Sequence, residues 1–91
     1  MTSVKENASG SDRLAPGSQT LARGLTALQA VANSPTGMTA QQVADHVGVH
    51  RTIAYRLLST LTQNRYLVKG DDGRYRPAAM LAVLGASFDN N

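Results

Sequence analysis

Arg51, Thr52, Tyr55 and Arg56 fall on one side of a helix-periodic segment that starts just after a glycine turn. Such a set can read a nucleic acid duplex. Arginine pairs bidentately with guanine O6 and N7, threonine bonds a base edge or touches a thymine methyl, and tyrosine bonds a phosphate. Two rival chemistries lack their required parts. His46 and His50 stand four apart, as in a helical metal pair, but Gly48 interrupts the helix between them and no Glu follows His46. Ser59 and Thr60 have no histidine and carboxylate placed to activate them, and there is no phosphate-cradling glycine motif. The sequence therefore points to binding rather than catalysis and requires no cofactor or metal.

Those four residues need a scaffold, and the hydrophobic periodicity supplies one. Leu21, Leu25, Leu28, Val31 and Ala32 share a face of a first helix, with Ser18 as N-cap and Asn33, Ser34 and Pro35 as its stop. Met38 to Val43 then carries a helix-start signature. Thr39 is the N-cap, Gln42 can reach back, and Met38 and Val43 form a hydrophobic staple. This second helix runs only to about Val47, because Gly48 supplies the positive φ of a tight turn. In the third helix Ala54, Leu57, Leu58 and Leu61 gather on one side, while Thr52, Tyr55, Arg56, Ser59 and Gln63 face away.

Tyr66 to Lys69 and Arg74 to Arg76 read as two short strands around Gly70, Asp71, Asp72 and Gly73. A fourth helix over Ala78 to Ser87 carries Met80, Leu81 and Leu84 at helical spacing, after Pro77 in a place suited to a first helical turn. The expected fold is mainly α with a small β-hairpin: a winged helix-turn-helix of three-helix core, wing and C-terminal linker helix. It divides into a disordered tail (1–17), the winged domain (18–76) and the linker helix with the C-terminal end (77–91).

Charge placement agrees with a polyanionic partner. The whole chain carries +3, but residues 1–17 cancel internally. Seven basic residues face only Asp45, Asp71 and Asp72 between Ser18 and Phe88. Cysteine is absent, which rules out disulfides and thiolate metal sites and fits a reducing cytoplasm. No apolar run is long enough to span a bilayer, and no secretory signal is evident, so no membrane partner is expected.

The candidate DNA contacts group by element. The N–H groups near Ala40, together with Thr39 and Gln41, favour a phosphate at the start of the second helix. His50, Arg51, Thr52, Ile53, Tyr55 and Arg56 belong to the third helix, and Lys69, Arg74 and Arg76 to the wing. His50 either caps the third helix or touches phosphate. Arg23 is placed equally well for a phosphate contact or a structural salt bridge. The competing reading is a winged-helix protein-interaction module, which would display an apolar patch rather than arginines.

Across residues 19–85 the chain resembles the isocitrate lyase regulator (IclR) family of bacterial transcription factors. The resemblance rests on Gln19 to Leu28 with Arg23, on Met38 to Val47, on Gly48-Val49-His50-Arg51-Thr52 and on Arg56-Leu57-Leu58. It continues through Tyr66-Leu67, Asp72-Gly73-Arg74-Tyr75-Arg76 and Leu84-Gly85. It implies sequence-specific binding of double-stranded operator DNA by a homodimer joined partly through the first helix and the linker helix. It also implies a small-molecule effector bound by a separate C-terminal domain, for which this chain has no residues. Several positions depart from the family pattern. His50 stands for a proline, Ile53 for a small polar residue, Tyr55 for a frequent histidine, and Pro77 with Ala78 for Leu-Gly. Arg65 stands where a glycine closes the third helix, and Asn64 is expected to take the left-handed conformation in its place.

Overall fold

The computed structural model describes residues 17–89. The expected tail lies outside them, except for Gly17. Ser18 opens α1 (Gln19–Asn33) by accepting the Leu21 N–H on its hydroxyl at 3.1 Å. The helix stops at Ser34, whose hydroxyl donates to the Gly37 carbonyl at 3.0 Å. Helix α2 (Ala40–Val47) begins with the anticipated capping box. The Gln42 N–H donates to Thr39 Oγ1 (3.2 Å) and the Thr39 N–H donates to Gln42 Oε1 (3.0 Å), so two otherwise orphaned donors are satisfied. Gly48, at φ 82°, turns the chain toward α3 (Arg51–Gln63). Strands β1 (Leu67–Lys69) and β2 (Tyr75–Pro77) form an antiparallel hairpin, and α4 (Ala79–Asp89) follows.

The core sits where the three helices and the hairpin meet. Ala27 and Val31 of α1, Val43 and Ala44 of α2, Ala54 and Leu58 of α3, Leu67 and Tyr75 are all buried. Alanines at three of these places let the helix backbones approach closely, and Leu58 fills the centre with no exposed surface. The wing is tied to the body by Tyr75. Its N–H donates to the Met38 carbonyl at 2.7 Å and its carbonyl accepts the Met38 N–H at 3.1 Å.

The structure differs from the sequence expectation in four places. The apolar stripe of α1 is wider than its buried face: Leu21 and Leu25 are 62% and 48% exposed, and Ala32 is also exposed. Ala27 and Val31 of that helix are fully buried and Leu28 packs against the core half-buried, because α2 and α3 cover a single side of it. Strand β1 ends at Lys69 as expected but starts one residue late, the Tyr66 N–H being taken by the Leu61 carbonyl, and β2 is displaced by one residue, since the Arg74 N–H turns to the Asp72 carboxylate (3.1 Å). Pro77 belongs to β2, opposite Leu67, rather than to the first turn of α4.

The fourth difference is the end of α3, where Arg65 and not Asn64 is left-handed. Asn64 keeps φ −93°, ψ 8°, with its side-chain amide donating to the Thr60 carbonyl at 2.8 Å. Arg65 has φ 68°. Its N–H reaches the Thr62 carbonyl (3.0 Å) and the next N–H, of Tyr66, reaches the Leu61 carbonyl (2.9 Å), which is a Schellman closure. The cost of a left-handed arginine, about 1–2 kcal/mol, is offset by where it aims the chain. The Arg65 carbonyl accepts the Met80 N–H (3.0 Å) and the Tyr66 carbonyl accepts the Ala78 N–H (2.9 Å), which fixes the root of α4.

Candidate nucleic-acid interface

Helix α3 is divided lengthwise. Ala54, Leu57 and Leu58 are buried against α1 and α2, while Arg51, Thr52, Tyr55, Arg56, Ser59 and Gln63 are exposed. A 100° step per residue puts Thr52, Arg56, Ser59 and Gln63 nearly opposite the buried set, with Tyr55 on the flank toward the wing. Ile53 is half-buried on the other flank. The first turn is held by His50, whose Nδ1 accepts the Thr52 N–H at 3.1 Å. With Nδ1 as acceptor, the neutral ring carries its proton on Nε2, and that donor is left for another group. Capping and a phosphate contact are thus compatible at this residue.

The start of α2 lies beside the start of α3, since Gln41, Val49, His50 and Arg51 line one open hollow. The hydroxyl of Thr39 accepts within the capping box, and Gln41 Nε2 donates to Asp45 Oδ1 at 3.0 Å on the surface. On the far flank Arg56 borders a groove of about 480 Å³ between α1 and α3, with Leu21, Gly24, Leu25, Leu57 and Leu61 around it. Arg23 is half-buried on α1 and makes no ion pair among the described residues.

Three wing cations were expected to act alike, and the structure separates them. Lys69 Nζ stands 5.7 Å from the centroid of the Tyr75 ring, and the two line a hollow with Tyr55, Ser59, Thr62 and Gln63 of α3. Lys69 is therefore next to the outward side of α3. Arg74 instead donates to the Gly37 carbonyl (3.2 Å) and Gln42 Oε1 (3.4 Å). Arg76 donates to both oxygens of Asp72 (3.2 and 2.8 Å) and to the Thr36 carbonyl (3.2 Å). The Arg76 guanidinium, with help from the Arg74 N–H, pulls the Asp72 carboxyl down to about 2 and is itself held above its ordinary value. Ser59 and Gln63 were legible as outward residues by their helical angle, yet their neighbourhood with Lys69 depends on where the hairpin folds. Among the described residues no three His, Cys, Asp or Glu side chains gather as a metal site, and no helix is long and apolar enough to cross a membrane.

A family model of the IclR helix-turn-helix domain matches residues 20–71, more than half of the chain. Among solved structures, the chain is similar to an IclR family transcriptional regulator from Brucella abortus (24% identity, 90% of this chain and 31% of that one, TM-score 0.73). It is also similar to the Agobacterium tumefaciens repressor BlcR (26%, 86% and 30%, TM-score 0.68) and to the IclR of Thermotoga maritima (20%, 76% and 28%, TM-score 0.70). The chain spans just under a third of the length of these structures. No curated protein matches it. The four helices and the antiparallel hairpin match the winged helix-turn-helix of these solved structures, and the chain belongs to the IclR family, of which it carries the winged helix-turn-helix DNA-binding domain.

Proposed function

We propose that this domain binds double-stranded DNA sequence-specifically as a transcriptional regulator, with α3 in the major groove and the wing against the backbone. The observation that carries this reading is the outward side of α3, where Arg51, Thr52, Tyr55, Arg56 and Ser59 are exposed together over a buried Ala54–Leu57–Leu58 base. A groove about 12 Å wide accepts one helix with its side chains. Arg56 and Arg51 are the base-reading arginines, Thr52 supports them, and Tyr55 with Lys69 holds phosphates on the wing side. Thr39, Gln41 and the His50 Nε2–H serve a phosphate near the start of α2. Arg23 and Ile53 stand at the margin of this surface.

The working unit is a homodimer in the cytoplasm. Leu21 and Leu25 of α1 and Val83, Leu84 and Phe88 of α4 are exposed apolar side chains that a single chain leaves uncovered. A two-fold pair would present its α3 helices to half-sites about 34 Å apart, or a multiple of that, on one side of a duplex. The same apolar residues favour a second reading, a module that docks another protein, but they lie on α1 and α4 and not on the polar side of α3.

Selection of bound sites from a random duplex pool tests the proposal. An inverted repeat, bound with an affinity that falls steeply with salt, is the expected outcome. Absence of any enriched sequence, or binding indifferent to salt, would leave the docking module as the better reading.

A further inference from the structure

The hairpin has two sides, and its register decides which side each cation takes. Lys69 pairs with Tyr75 and Val68 with Arg76. Cross-strand partners share a side and successive residues alternate. Lys69 thus lies with Tyr75, toward α3, while Arg76 and Arg74 lie on the opposite side. There, two backbone carbonyls of the α1–α2 loop, those of Thr36 and Gly37, accept from the two guanidiniums. Arg74 also reaches Gln42 Oε1, the acceptor of the α2 capping box. The Arg76–Asp72 fork packs on Gly70 so closely that a Cβ there would stand 2.6 Å from Arg76 Nη1 and 2.9 Å from Asp72 Oδ1. Gly37, at φ +83°, is likewise roofed by the stems of Arg74 and Arg76, which a Cβ would meet at 3.3 and 3.0 Å.

We propose that Arg74 and Arg76 are positioning residues for DNA binding: with Asp72 they clamp the wing to the α1–α2 loop and so hold Lys69 beside the reading side of α3, while Lys69 alone among the wing cations meets a phosphate. The inference rests on the DNA-binding reading. Two features argue against a phosphate role for Arg76. Its charge is matched by a bidentate carboxylate, so it has little counterion to release, and its side of the ribbon faces away from α3.

Asp72 gives the two roles opposite signs. If Arg76 held a phosphate, removing the neighbouring carboxylate would free the arginine, relieve repulsion and tighten binding. If Arg76 positions the wing, removing the carboxylate loosens it. The experiment measures affinity of the intact chain for an unselected duplex of fixed length across a range of salt, for wild type, Lys69→Gln, Arg76→Gln, Arg76→Lys, Asp72→Asn and the Asp72→Asn/Arg76→Gln double variant. Lys69→Gln is expected to flatten the slope of log affinity against log salt by about one unit. Arg76→Gln and Asp72→Asn should each weaken binding about three- to tenfold with the slope unchanged, and the double variant should be no worse than either single one. Arg76→Lys should not rescue, because a point charge cannot make the fork.

Tighter binding by Asp72→Asn, or a slope flattened by about one unit in Arg76→Gln and restored in Arg76→Lys, would overturn the proposal. Amide exchange without DNA provides a separate readout. The Met38 and Tyr75 N–H groups should exchange faster in Arg76→Gln and in Asp72→Asn, and unchanged protection would overturn the clamp by itself. Failure of the wild-type chain to bind any duplex would instead sink the DNA-binding reading, and the clamp would then stand or fall on exchange alone.

Discussion

The two sides of α3 do different work with residues that are neighbours in sequence. Inward, Ala54, Leu57 and Leu58 interlock with α1 and α2, and their identity is constrained by volume. Outward, Thr52, Tyr55, Arg56 and Ser59 make few contacts with the rest of the chain, and their identity is constrained only by what they would touch in a partner. On the proposed reading, stability and recognition separate on one helix, with Leu57 and Leu58 following directly on Tyr55 and Arg56. The wing repeats this division across a hairpin, with Tyr75 and Leu67 toward the core and the arginines on the other side.

Substitution should break the comparison unevenly. Leu58→Ala removes a fully buried side chain and should cost about 2–5 kcal/mol of folding free energy in urea denaturation. Its DNA affinity, measured where the protein is still folded, should change little. Arg56→Ala should show the converse, a loss of about 1–3 kcal/mol in affinity for the selected site with an unchanged denaturation midpoint. Equal affinity for that site would remove Arg56 from the reading surface.

Arg65→Gly sharpens the comparison at the point where α3 ends. Relief of the left-handed arginine, net of the entropy of glycine, should stabilise the fold by about 0.5–1 kcal/mol. A melting temperature that falls would mean that the Arg65 side chain makes a contact worth more than its backbone strain.

The smallest effect concerns acid. The Asp72 carboxyl titrates near 2 in the folded chain against 3.8 ordinarily, so its contribution is complete above 3.8 and fades as pH falls through the lower value. Asp72→Asn should therefore melt slightly below wild type near neutral pH, and the gap should close between those two values. A gap that persists unchanged in strong acid would show that Asp72 acts by something other than its charge.

Much of this arrangement could be read from the sequence. Ser18, Thr39 with Gln42, and Gly48 announce the bounds of α1 and α2 through local hydrogen bonding, and the leucine spacing of α3 reveals its buried side. What escaped was decided at long range. Periodicity marks Leu21 and Leu25 as apolar but cannot say that α2 and α3 leave them uncovered. Local propensity favours Asn64 for the left-handed place, yet hydrogen bonds from Ala78 and Met80 to the carbonyls of Tyr66 and Arg65 hold that bend one residue later. The charges of Lys69, Arg74 and Arg76 were plain, but their sides follow from a register in which a shift of one residue exchanges them.

Guanine N7 methylation interference on the selected duplex tests the central claim most directly, because N7 lies in the major groove and pairs with arginine. Wild type should be blocked by methylation at guanines within each half-site, and Arg56→Ala should lose sensitivity at one of them. Binding that tolerates N7 methylation at every position would mean that α3 does not enter the major groove.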